Sequence, residues 1–66
     1  MILKINGKES QVEKEASLSG LIESRGLRPE GLVIEHNGRI VPREIWREVT
    51  LSENDTLEII SFVGGG

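Results

Sequence analysis

The chain has 66 residues and no cysteine, with 11 acidic and 8 basic residues and a formal net charge of -3. That length is one domain near the lower limit for a fold without staples, and the missing cysteines exclude disulfides, thiolate metal sites and a thiol nucleophile. The absence of a basic stripe, with Trp46 and Phe62 the only aromatics, argues against nucleic-acid binding, and no apolar run approaches the roughly 20 residues of a membrane span.

Met1–Ile5 and Lys8–Val12 read as two short strands around Asn6-Gly7, a dipeptide suited to a hairpin turn that needs positive φ at both positions. Alternation sends Leu3 and Ile5 to one face and Ile2 and Lys4 to the other. The second strand is polar apart from Val12, which suits an edge. Ser17 is a good N-cap, and Leu18, Leu21 and Ile22 follow on one helical face. Gly26 ends this helix, Leu27 can fold back over its last turn, and Pro29 blocks continuation. Gly20 costs the helix about 1 kcal/mol relative to Ala. Close packing against the sheet is its expected reason.

Leu32–His36 is the third strand, and a second Asn-Gly turn at Asn37-Gly38 leads to a return strand at Ile40-Val41 that Pro42 cuts short. Arg43–Val49 predicts a short helical or irregular segment, with Trp46 in or near the core. Leu51 is expected to plug that core from a loop. Ser52-Glu53-Asn54-Asp55 is turn-rich, and Leu57–Val63 is the last strand. The class is therefore α+β, one main helix on one face of a mixed four- to five-stranded sheet. The near-continuous apolar content of the last strand suits a central position, which requires a partner from the other end of the chain. The domain is expected over 1–63, with 64–66 a flexible glycine tail. The cysteine-free composition and lack of a leader-like start point to a cytoplasmic protein, a monomer when free.

Few residues offer chemistry. His36 is the lone histidine, and a lone histidine beside a turn is more often a packing residue than a catalyst. No triad, clustered metal ligands or phosphate-binding glycine loop is recognisable. Arg39, Arg43 and Arg47 form a loose basic group, but Glu44 and Glu48 are interleaved, as on a solvated face. Alternation sends Glu58, Ile60 and Phe62 away from the face of Leu57, Ile59, Ser61 and Val63. Ile60 and Phe62 thus read either as a docking patch on an open face or as part of a sheet buried on both faces. Gly64-Gly65-Gly66 alone reads most simply as a fraying end or a remnant of expression.

Asn37-Gly38-Arg39-Ile40-Val41-Pro42-Arg43 with Trp46, then Asn54-Asp55-Thr56-Leu57-Glu58-Ile59 and the closing glycines, resembles the ThiS-type sulfur carriers of thiazole (thiamin) biosynthesis. The likeness covers essentially the whole chain. Two departures are Glu-Asn-Asp in the turn before the last strand and His36, where an aliphatic residue is usual. The resemblance implies a β-grasp, ubiquitin-like fold with the first and last strands parallel at the centre of the sheet. It implies a carrier, not an enzyme, whose Gly66 carboxylate is adenylated with ATP by a ubiquitin-activating-type adenylyltransferase. Sulfur from a cysteine desulfurase or sulfur-relay protein then yields a thiocarboxylate for a thiazole synthase. The carrier itself would bind no cofactor or metal. Gly64 and Gly65 would thread the tail into a partner's active site, since glycine has no Cβ to obstruct a narrow channel. Carriers for molybdopterin or cysteine synthesis and ubiquitin-like protein modifiers are the neighbouring possibilities.

Overall fold

The computed structural model describes residues 1–62. The end expected of the last strand, Val63, and the glycines Gly64, Gly65 and Gly66 lie outside the described residues. Strands β1 (Ile2–Ile5) and β2 (Lys8–Gln11) precede helix α1 (Leu18–Ser24). Strands β3 (Leu32–His36) and β4 (Arg39–Ile40), a 3-10 turn at Arg43–Glu48 and strand β5 (Thr56–Ser61) complete the order.

Each Asn-Gly pair turns as its composition requires. Asn6 and Gly7 have φ of 53° and 83°, and Asn37 and Gly38 have 52° and 86°. Positive φ at both central positions matches the right-handed twist of the flanking strands. The sheet order is β2-β1-β5-β3-β4. β5 lies in the middle, parallel to β1 and antiparallel to β3. The backbone bonds that join the first and last strands include Lys4 N–H to the Asp55 carbonyl at 2.9 Å and Asn6 N–H to the Leu57 carbonyl at 2.8 Å.

Helix α1 begins where Ser17 Oγ accepts from the Gly20 N–H at 2.9 Å. It ends in a Schellman arrangement, with Gly26 at φ 68° and the Leu27 N–H donating to the Ile22 carbonyl at 3.2 Å. Gly20 does not pack on the sheet, contrary to the expectation from sequence. It is exposed, and a Cβ there would meet Ser17 Oγ at 3.2 Å. Glycine at this position leaves room for the capping hydroxyl.

Leu18, Leu21 and Ile22 bury the helix against Leu3 and Ile5 of β1, Ile34 of β3 and Leu57 of β5, with Val12, Val41, Trp46 and Leu51 in the same cluster. Each large aliphatic side chain buried this way contributes about 1.5–3 kcal/mol. Trp46 is 3% exposed and its Nε1–H donates to the Val41 carbonyl at 2.9 Å. A buried indole thus brings its one polar atom to a partner. The 3-10 turn is tied to the helix start by the Leu18 N–H to Val49 carbonyl bond at 2.9 Å. Leu51 fills the core from its loop, as expected. Among the described residues no helix is long and apolar enough to cross a membrane.

Candidate functional site

Gly64, Gly65 and Gly66 follow β5 in the sequence, so the site is built from what holds that strand and what its end exposes. Two turn asparagines hold it. Asn6 presents its side-chain amide to Ile59, its Oδ1 accepting from the Ile59 N–H at 2.7 Å and its Nδ2 donating to the Ile59 carbonyl at 3.3 Å. The amide thus supplies the donor and acceptor that another strand residue would offer. At the other end, Asn37 Oδ1 accepts from the Thr56 N–H at 2.9 Å.

Asp55 joins the same knot. His36 Nε2 lies 2.7 Å from Asp55 Oδ2, the Asn37 amide donates to Oδ1 at 3.1 Å, and the Ser52 N–H donates to Oδ2 at 2.8 Å. A carboxylate only accepts, so His36 Nε2 is the donor. The 3.4 Å approach of Asn37 Nδ2 to that nitrogen then brings two donors together and is a contact only. Burial pushes the Asp55 pKa up, but the bonds from His36, Ser52 and Asn37 outweigh it and hold the pKa below the ordinary aspartate value. His36 lies half-buried on the inner side of β3 and works as a clip between the β3–β4 turn and the entrance to β5.

The open face of the sheet carries the outward side chains. Val33 stands opposite Ile60, and Glu35 stands opposite both Glu58 and Ile40. Ile60 is 40% exposed, Phe62 68% and Ile40 67%. The end of β5 is therefore open on this side, which meets the first condition of a docking patch. Alternation made Ile60 and Phe62 legible from sequence. It did not show that Ile40 and Val33, from the second hairpin, share their face, because that depends on β3 pairing with β5. Arg39, Arg43 and Arg47 are exposed, as expected of a solvated group. Among the described residues no His, Cys, Asp and Glu gather into a possible metal site.

The family model described as "ThiS family" matches residues 3–66. This chain belongs to the ThiS family. The sulfur carrier protein ThiS of Bacillus subtilis (strain 168) is 35% identical over 66 residues, an alignment covering 98% of this chain and 100% of that protein. A thiazole synthase of Magnetococcus marinus is also 35% identical over 66 residues, but there the chain spans only 20% of the relative's length. The crystal structure of the thiamine biosynthesis protein ThiS from Geobacter metallireducens superposes with a TM-score of 0.86 at 30% identity, covering both chains entirely. The fold is the β-grasp of that family, with the parallel β1–β5 pair at its centre.

Proposed function

We propose that this chain is a sulfur carrier that presents Gly66 as an acyl group for thiamin biosynthesis. The observation that carries the reading is the full-length likeness to the Bacillus subtilis sulfur carrier protein ThiS. The family match running through residue 66 supports placing the chemistry at the glycine end.

The chemical logic starts from the carboxylate. With a pKa of about 3.5 it is ionised at neutral pH and resists nucleophiles. A partner adenylyltransferase lets it attack the α-phosphorus of ATP, expelling pyrophosphate and leaving an acyl-adenylate. A persulfide from a cysteine desulfurase or relay protein then attacks the carbonyl carbon, and AMP leaves. A second thiol reduces the resulting acyl disulfide, releasing the thiocarboxylate. The carrier contributes the Gly66 carboxylate and the folded domain before it, and the bond-making groups belong to its partners. A thiazole synthase is the proposed acceptor. The support is that a segment similar to this whole chain lies within the Magnetococcus marinus thiazole synthase.

The test is the intact mass of the chain after incubation with the adenylyltransferase, ATP and a persulfide donor. The product should be heavier by the difference between sulfur and oxygen. An unchanged mass beside an enzyme that modifies the Bacillus subtilis carrier would overturn the reading.

A further inference from the structure

β5 runs past its neighbour on one side. In the antiparallel register with β3, Glu58, Ile60 and Phe62 occupy the hydrogen-bonded positions, and the Phe62 N–H donates to the Gly31 carbonyl at 2.7 Å. Leu57, Ile59 and Ser61 therefore aim their N–H and C=O groups the other way, toward β1. The Leu57 carbonyl accepts from the Asn6 N–H at 2.8 Å, and the Asn6 amide takes both groups of Ile59. β1 itself stops at Ile5. At Ser61, which is exposed, no strand among the described residues remains on that side.

Natural sheets shield such edges with charge, proline or bulges. Ile60, Ser61 and Phe62 offer no charge and no proline. At the same point a mostly apolar groove of about 240 Å³ opens, lined by Leu27, Arg28, Glu30, Leu32 and Ser61. A strand laid along the edge alternates its side chains between the two faces. One would reach this groove while its neighbours met Ile60 and Phe62.

We infer that the enzyme acting on Gly66 adds an extended segment of its own chain to the open edge of β5 at Ser61, with an apolar side chain in the groove beside Leu27 and Leu32. The inference rests on the carrier reading, because an enzyme acting on Gly66 works within a few residues of the open edge at Ser61. Backbone pairing supplies affinity and the two faces supply specificity. The added strand also fixes the direction in which the tail leaves the domain.

Two measurements test this with the adenylyltransferase of the mass assay. Affinity is measured for the unsubstituted chain, Ser61→Ala and Ser61→Pro, and exchange of the Ser61 amide is followed by NMR in the free chain and in the complex. Proline removes the Ser61 N–H and should weaken binding by about tenfold, whereas alanine keeps the backbone donor and should bind within about twofold. The Ser61 amide should exchange more slowly in the complex. This second measurement decides the matter even where Ser61→Pro folds poorly. Thiocarboxylate formation with an unprotected Ser61 amide overturns the added strand and leaves the carrier reading intact. Protection without sulfur transfer supports the added strand and counts against the carrier chemistry. Absence of both a complex and a thiocarboxylate overturns both.

Discussion

Asn6 has φ 53° in a tight turn while its amide reaches across to Ile59, so one side chain serves the hairpin and the central strand pair together. Asn6→Gly keeps a residue tolerant of positive φ and deletes only the amide. We expect a loss of about 1–2 kcal/mol in urea unfolding, the worth of one to two hydrogen bonds. Asp55→Asn removes the carboxylate that accepts from His36, Ser52 and Asn37. The Asp55 pKa is lowered in the folded chain, so its contribution is present above the unfolded value of about 3.9 and is lost as pH falls through the folded value. Asp55→Asn should therefore be less stable at neutral pH and show a flatter decline in melting temperature below about pH 4. An unchanged acid limb would place the titration elsewhere. Phe62, at 68% exposure, has little to lose on truncation in the free chain. Phe62→Ala is expected to change stability by less than about 0.5 kcal/mol and to weaken partner binding, so collapse of the melting temperature would make it a core residue instead.

Helix α1 is seven residues long, too short to persist alone in water, so its ends and its buried face must hold it. The Ser17 hydroxyl supplies the N-terminal cap and Gly26 the left-handed C-terminal residue. Ser17→Ala is expected to cost about 1 kcal/mol by thermal or chemical denaturation. That expectation also explains Gly20, whose missing side chain leaves the cap undisturbed. The lesson for sequence reading is specific. A glycine in a helix was legible as a cost, but its beneficiary was the hydroxyl three residues earlier and not the sheet. Element β5 gives the opposite case, since its apolar content and the polarity of β2 foretold centre and edge correctly.

For the whole molecule, the buried cluster draws on residues between Leu3 and Leu57. The stabilising core and the proposed chemical end are thus separate parts of the chain. Deleting Gly65 and Gly66 should leave the melting temperature unchanged and abolish thiocarboxylate formation in the mass assay. Retained sulfur transfer would remove the tail from the mechanism. The separation suits a carrier, whose domain is recognised while its end reacts in another protein's site.

Local rules were sufficient where a few neighbouring residues settle the backbone. Asn-Gly at both hairpins, Ser17 and Gly26 at the helix ends, and period-two alternation in β5 act over one turn or one pleat, so the sequence by itself determined the elements, the helix face and the shared face of Ile60 and Phe62, while only the structure showed that face to be open. The resemblance added the parallel β1–β5 pair and the candidate chemistry at Gly66. Tertiary structure decided what those elements do to one another. It brought the Asn6 amide onto Ile59, gathered His36, Asn37, Ser52 and Asp55 into one knot, and set Ile40 and Val33 on the face of Ile60. It also left Ser61 facing an edge beyond the end of β1. The physical reason is reach: hydrogen bonds and side-chain pairs between residues about twenty to fifty positions apart depend on strand register, which no local pattern encodes.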